Sequence, residues 1–110
     1  MRQTQLTPEA AELIARRFRA LSDPTRLRIL DVLRRQDEGS VGEITELVGG
    51  SQQNISKHLS ALHAEGFVSR RKRGTSSIYR IAHPGVHQIC DGISAGIEAQ
   101  LAEMEAALSG

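Results

Sequence analysis

Aromatic residues are almost missing from this 110-residue chain, which has no tryptophan, one tyrosine and two phenylalanines. Aliphatic side chains must therefore build the core, and the length suits one domain with a modest core. The single cysteine, Cys90, excludes an internal disulfide and favours a reducing, cytoplasmic location. No apolar run approaches the ~20 residues of a membrane span, and Met1–Leu6 does not resemble a signal peptide.

The usual marks of an enzyme are also missing from the sequence. It has no glycine-rich phosphate loop and no paired acid and base in a predicted pocket. We therefore expect no catalytic residues, no cofactor and no enzymatic activity.

Charge of one sign is scarce in residues 51–80 and missing in residues 81–110, although the net charge of the chain is only +1. Residues 51–80 carry six lysines and arginines against one acid, Glu65, whereas residues 81–110 carry four acids and no lysine or arginine. The basic segment predicts a nucleic-acid partner. DNA would repel the acidic segment, so we expect that segment to face away from DNA and to serve another purpose.

A helix is predicted at the start of the basic segment, from Ser51 to Gly66. Ser51 suits the N-cap, and Gly66 suits the left-handed position after the helix end. Ile55, Leu59 and Leu62 recur at helical spacing and predict a buried stripe. The other face is polar and consists of Gln52, Gln53, Ser56, Lys57 and Ser60. Such a helix is either an ordinary amphipathic surface helix or one that reads base edges in the major groove.

The preceding residues favour the second interpretation. A short helix at about 42–48 is followed by Gly49–Gly50, and the next helix begins at once, which is a helix-turn-helix pattern. Further upstream, Thr7 with Pro8 and Asp23 with Pro24 predict the starts of two more helices. Residues 36–40 are expected to form a loop. The side chains expected to be buried in these helices are Leu13, Ile14, Phe18, Leu21, Leu27, Leu30, Leu33, Ile44 and Leu47.

After Gly66 the pattern changes from helical spacing to alternation. Residues 67–72 and 77–81 predict two strands, with a turn at Arg73–Ser76 in which Gly74 can take a positive φ. The tip of this hairpin is basic. A basic hairpin directly after a polar helix predicts a winged helix-turn-helix, in which the hairpin contacts the neighbouring DNA backbone.

A last helix is predicted from Pro84 to about Leu108. Its apolar residues step by three or four positions along one face, namely Val86, Ile89, Ile93, Ile97, Leu101, Met104 and Leu108. A small winged helix leaves little for so long a stripe to cover within one chain. We therefore expect a two-fold homodimer through the terminal helices, with packing inside a single chain as the alternative.

Three motifs together resemble the ArsR/SmtB family of bacterial repressors: Ser22–Leu30, Ser51–Leu62, and Arg70–Gly74 with Tyr79. The resemblance covers about residues 18–104. It implies one domain over 1–110, mainly α with a small β-hairpin, with a recognition helix at about 51–65, a wing at about 67–82 and a dimerisation helix at about 84–108. It also implies a repressor that binds a palindromic operator as a homodimer and responds to a small effector.

By the same resemblance, a defined set of residues would face DNA: Ser51, Gln52, Gln53, Asn54, Ser56, Lys57, His58, Arg71 and Arg73. His58 lies at the edge of this face and is equally consistent with a histidine that packs against another helix. A winged helix that binds proteins and no operator remains the alternative function.

The effector cannot be read from the family's usual ligand patterns, because this chain lacks them. Ser40, Val41 and Gly42 stand where many members carry metal-binding cysteines, and one cysteine per chain rules out an internal disulfide switch. One local cluster remains as a candidate metal site, formed by His83, His87, Cys90 and Asp91. The alternative is a partly solvated helix start with a packed cysteine, whose only basic neighbours are the histidines.

Overall fold

A computed structural model describes residues 5–109 and contains five helices and three short strands over that range. The elements are α1 (Pro8–Leu21), α2 (Pro24–Gln36), β1 (Gly39–Ser40), α3 (Val41–Val48), α4 (Gln52–Ala64), β2 (Val68–Arg73), β3 (Ser76–Ile81) and α5 (Gly85–Ser109). The ends of the predicted 1–110 domain, residues 1–4 and 110, lie outside the described residues. The fold class is the predicted one, mainly α with a small antiparallel sheet in a winged helix-turn-helix.

Each of the first four helices begins at a side-chain cap. The hydroxyls of Thr7, Ser40 and Ser51 and the carboxylate of Asp23 each accept a hydrogen bond from a backbone N–H three residues later, at 3.0–3.1 Å. The backbone N–H of Arg26 holds the pKa of the Asp23 carboxyl below its usual value. These contacts are local, and the sequence predicts three of them correctly, at Thr7, Asp23 and Ser51.

The sheet is larger than the sequence predicts. Its strand order is β1-β3-β2, and both pairs are antiparallel. Gly39 and Ser40, predicted as part of a loop, form a two-residue strand opposite Tyr79 and Ile78 of the hairpin. Two residues carry no alternation that a sequence reading can detect, and their partners lie far along the chain. This pairing attaches the base of the wing to the start of α3.

The core lies between α2, α3, α4 and the sheet. Its most deeply buried side chains are Ile29, Leu30, Leu33, Ile44, Ile55, Leu59, Leu62 and Val68. Ile55, Leu59 and Leu62 therefore form the buried stripe that the sequence predicts. The predictions for Leu27 and Leu47 are wrong, since these side chains are 45% and 55% exposed. On α2 the inward face is centred on Ile29, Leu30 and Leu33, and Leu27 lies beyond its edge.

Two helices leave apolar side chains uncovered. On α1, Leu21 is buried as predicted, but Leu13, Ile14 and Phe18 are exposed in the single chain. Val86 is the buried residue of α5. The remaining members of the predicted stripe are exposed by 37% to 87%, namely Ile89, Ile93, Ile97, Leu101, Met104 and Leu108. Packing within one chain therefore does not cover the stripe.

No helix among the described residues is both long enough and apolar enough to span a membrane.

Candidate nucleic-acid interface

A tight turn delivers the chain into α4. Gly49 and Gly50 have φ of +96° and +85°, a region that side chains with a Cβ rarely adopt. The N–H of Gly49 donates to the carbonyl of Thr45 at 2.7 Å and closes α3. The Ser51 hydroxyl then accepts from the N–H of Asn54 at 3.1 Å and opens α4. The first turn of α4 is therefore fixed by the turn before it and by its own cap.

The polar residues predicted to face DNA cover most of the outer surface of α4. At 3.6 residues per turn, Gln53 and Lys57 point away from the core stripe, and both are exposed. Gln52 and Ser56 lie on one flank, whereas Asn54 and His58 lie on the other flank. Ser51, Gln52 and Asn54 are also exposed, and Ser56 is half-buried. The structure therefore brings seven of the nine predicted contacts together on one helix, but on different sides of it.

A polar groove separates α4 from the wing. It runs from the start of α3 past Gln52 to the hairpin, and hydroxyl groups line most of it: Ser40, Ser56, Ser60, Thr75, Ser76 and Ser77. Arg70 of β2 supplies a positive charge to the same groove. Hydroxyl and guanidinium groups are the usual donors to DNA phosphates. The sequence predicts Gln52 and Ser56 of this groove as site residues but not Ser40, Arg70 and Thr75, because the pairing of β1 with β3 and the position of the hairpin beside α4 are long-range features.

The two wing arginines predicted to contact DNA are not among the residues that line this groove. Successive residues of a strand point to opposite faces, so Arg71 and Arg73 point away from the face that carries Arg70. Their guanidinium groups meet the carboxylate of Glu38, which lies just before β1. Nη2 of Arg71 donates to Glu38 Oε2 at 2.9 Å, and Nη2 of Arg73 donates to the same oxygen at 2.8 Å.

His58 has a partner inside the protein. Its Nδ1 accepts a hydrogen bond from Nε of Arg26 at 3.1 Å, a contact between α4 and α2 that is partly buried. The residue is half-buried on the flank of α4 opposite to Gln52 and Ser56. This contact is the one expected of a helix-packing histidine.

The four candidate metal ligands are not gathered into a site. The Nδ1 of His83 accepts from the N–H of Gly85 at 3.1 Å, and the Asp91 carboxylate pairs with Arg34 of α2. Cys90 packs against the core, and burial raises the pKa of its thiol although Arg34 opposes that shift. The expectation that only histidines lie near Cys90 is therefore wrong. Among residues 5–109 no group of three or more such side chains could hold a metal ion.

Comparison with known proteins agrees with the winged helix-turn-helix fold. A helix-turn-helix domain model matches residues 21–71. The probable mercury resistance operon repressor of Streptomyces lividans is 44% identical over 72 residues, which are 66% of this chain and 57% of that protein. The arsenic resistance transcriptional regulator ArsR1 of Pseudomonas putida is 36% identical over 80 residues, 73% of this chain and 62% of that protein. The matched region thus spans about three fifths of the length of these two relatives.

A solved structure matches over nearly the whole chain. It is the homodimeric winged helix-turn-helix DNA-binding domain Mb0332 from Mycobacterium bovis, described as a possible ArsR-family transcriptional regulator. The two chains are 31% identical and superpose with a TM-score of 0.78, covering 92% of this chain and 93% of that one. Its similarity therefore includes the rest of the wing and the terminal helix, which lie beyond residue 71, where the domain model ends.

Proposed function

The chain belongs to the ArsR family of winged helix-turn-helix transcriptional regulators, and on that basis we propose that it acts as a homodimeric repressor of a palindromic operator. Membership of this family makes it a DNA-binding regulator and not an enzyme. The observation that supports the proposal best is the exposed polar surface of α4 beside a hydroxyl-lined groove and a basic wing. The cytoplasmic location expected from the sequence is part of the same proposal, because the operator is genomic DNA.

The proposed division of contacts follows from the placement of the side chains. Gln52, Gln53 and Asn54 carry amides that can pair with adenine, and Lys57 suits guanine or a phosphate. Ser56 and Arg70 would hold the phosphate backbone along the groove between α4 and the wing, and Ser51 would contact it at the start of α4. Arg71 and Arg73 stay in the proposal as wing contacts, but each must exchange its ion pair with Glu38 for a phosphate.

A dimer follows from the exposed apolar faces of α1 and α5. Leaving Ile93, Ile97 and Leu101 about half exposed on one stripe is unfavourable in water, and a second copy of the same helix would cover them. The homodimeric state of the Mycobacterium bovis domain supports this arrangement. The dimer would place two copies of α4 in successive major grooves about 34 Å apart.

The alternative proposal, a metal-responsive repressor using His83, His87, Cys90 and Asp91, has less support. Two of these side chains are engaged by Gly85 and Arg34, and the Cys90 thiol is made less acidic by burial. Thiolate is the form that binds metal, so a raised pKa opposes metal binding at this position. Stoichiometric zinc in the purified protein that is lost in His87→Ala would establish the metal-responsive alternative.

The experiment that tests the main proposal is a selection of duplexes from a random library with the purified protein. Wild-type protein is expected to enrich an inverted repeat and to bind it with an affinity that falls steeply with salt. Enrichment of no sequence, or binding that does not depend on salt, would contradict it and would favour a winged helix that contacts proteins. Light scattering of the same sample measures the dimer directly.

A further inference from the structure

We propose that Arg26 and His58 form a positioning pair that fixes α4 against α1, and that His58 does not contact DNA. This inference rests on the proposed function, because it concerns how the two copies of α4 are held at the separation that an operator requires.

Arg26 connects three helices through separate groups. Its backbone N–H donates to the Asp23 carboxylate at 3.0 Å, within the first turn of α2. Its Nη1 donates to the carbonyl of Ala20 at 3.0 Å, in the last turn of α1. Its Nε donates to Nδ1 of His58 at 3.1 Å, on α4. One side chain therefore bridges the end of α1 and the middle of α4, and its own backbone is held by the helix cap.

The chemistry of both acceptors suits a guanidinium group. The carbonyl of Ala20 is among the last four of α1, which have no partner inside the helix and lie at the negative end of the helix dipole. On α4 the acceptor is Nδ1 of His58, an imidazole nitrogen that offers a lone pair. The guanidinium is planar, and its N–H groups have fixed relative directions. A carbonyl bound at Nη1 therefore determines where an acceptor at Nε must lie.

The pair of Arg26 and His58 restricts movements of α4 that the apolar core allows. Ile55, Leu59 and Leu62 hold α4 by apolar contacts, which are not directional and allow small rotations and shifts. Hydrogen bonds from the Arg26 guanidinium, whose N–H groups have fixed relative directions, restrict both movements. A second link lies near the end of α4, where Nε of Arg16 on α1 meets the carboxylate of Glu65 at 2.9 Å. Both links join α4 to α1, the helix whose exposed apolar side chains belong to the proposed dimer interface.

His58 lies on the same flank of α4 as Asn54, one turn further along the helix, but its ring is engaged by Arg26 within the protein. It lies two residues from Ser56, which at 3.6 residues per turn places the two side chains on opposite flanks of α4. Ser56 lines the groove beside the wing, whereas His58 faces α2. A change at His58 is therefore expected to alter how two protomers fit one operator and to leave the contacts of each α4 in its own half-site intact.

The test compares His58→Ala with His58→Asn, whose side-chain oxygen can accept near the position of Nδ1. The DNA probes are the inverted repeat selected by wild-type protein, the same duplex with one half-site scrambled, and the repeat lengthened by one central base pair. Arg28→Gln, an exposed position on α2, is the control for a changed residue on that helix. Thermal melting monitored by circular dichroism confirms that each variant is folded.

We expect His58→Ala to lose about tenfold on the full repeat, the size of one hydrogen bond to a charged group. It should lose less than twofold on the single half-site and should discriminate less against the lengthened repeat. His58→Asn should retain wild-type values on all three probes. Arg26→Lys, which keeps the charge but not the fork, should resemble His58→Ala, and the double variant should be no worse than either single one.

The alternatives give different results. A direct DNA contact predicts that the half-site also loses affinity, by about the square root of the factor lost on the full repeat because the repeat binds two copies of His58, and it predicts no rescue by asparagine. A purely structural role predicts a lower melting temperature with an unchanged ratio of full-site to half-site affinity. Either outcome overturns the positioning pair and leaves the proposed function standing. Failure of wild-type protein to enrich any sequence overturns the proposed function itself and the positioning pair with it.

Discussion

The Nη2 of Arg73 lies 2.8 Å from Oε2 of Glu38, and that carboxylate also holds Arg71. One acid therefore occupies two of the basic groups proposed to meet DNA phosphates. All three side chains are partly exposed, so the ion pairs themselves add little to stability. Their consequence lies in binding, because phosphate and carboxylate compete for the same donors.

We expect Glu38→Gln to tighten binding to random-sequence DNA, since a neutral amide competes less well for the two guanidinium groups. The slope of log affinity against log salt should steepen by up to about 0.9 for each additional phosphate that the wing neutralises. The selectivity for operator over random DNA should fall, because the added affinity does not depend on sequence. Fluorescence anisotropy over a series of salt concentrations measures both quantities.

The matched control for Glu38→Gln is Glu12→Gln, the same change of charge at an exposed position on α1. Weaker binding of Glu38→Gln to random DNA than wild type would show that Glu38 orients the arginines toward phosphate instead of competing with it.

Gln53 lies at the centre of the outward face of α4 and is exposed. A bidentate contact between an amide and adenine is worth about 1–3 kcal/mol. Gln53→Ala should therefore lose that much affinity for each half-site of the selected operator and almost none for random duplex. Gel shifts on the two probes test this, with Ala64→Ser as the control at an exposed position near the end of α4. Equal losses on both probes would mean that Gln53 contacts only the backbone.

Arg73 should behave in the opposite way to Gln53. Arg73→Ala removes one phosphate contact per protomer, so operator and random DNA should be weakened by similar factors and the salt slope should fall by at most about one for each protomer bound. The double variant Glu38→Gln/Arg73→Ala should bind DNA more tightly than Arg73→Ala alone, because Arg71 is then free to bind phosphate. Salt titrations of the single and double variants measure the coupling, and a loss confined to the operator would assign Arg73 to base recognition.

The sequence predicts the local features of this fold well and the long-range contacts poorly. Caps at Asp23 and Ser51 depend on residues three positions away, and the wing turn depends on Gly74, whose φ is +64°. The pair of Arg26 and His58 joins residues 32 positions apart, and Arg71 and Glu38 are 33 apart. No spacing rule connects such residues before the helices and strands are packed.

The same difference between local and long-range features explains which residues of the candidate site the sequence predicts. Periodicity alone identifies the polar face of α4, because every member lies within one helix. The face of the wing that lines the groove depends on the pairing of β2 with β3 and on the attachment of β1. The sequence therefore predicts Arg71 and Arg73 as contacts and overlooks Arg70, although all three occupy the same strand.

The apolar stripe of α5 provides a direct test of the dimer. Ile97 lies in the middle of the stripe and is 49% exposed in the single chain. Ile97→Glu should give a monomer in light scattering at micromolar concentration, because a dimer would bury two unpaired carboxylates. Affinity for the full inverted repeat should fall by about 100-fold or more as avidity is lost, whereas single half-site affinity should change little. The neighbouring change Glu98→Gln is the control, and a dimeric Ile97→Glu would place the interface elsewhere.

Asp23 makes the stability of α2 depend on pH in a predictable direction. The N–H of Arg26 donates to its carboxylate, which puts the pKa of Asp23 in the folded state below the ordinary value of 3.8. As pH falls, the unfolded chain therefore takes up the proton first, so the contribution of the charged cap is complete above about pH 4 and disappears through the lower folded-state pKa.

Asparagine caps a helix as well as aspartate but does not titrate. The melting temperature of wild type minus that of Asp23→Asn should therefore be constant from about pH 5 to about pH 7 and should decrease below about pH 4. Circular dichroism melts measure this difference, with Glu12→Gln as the control. A difference that grows toward low pH would mean that the Asp23 charge destabilises the folded chain and that the capping contact with Arg26 does not form in solution.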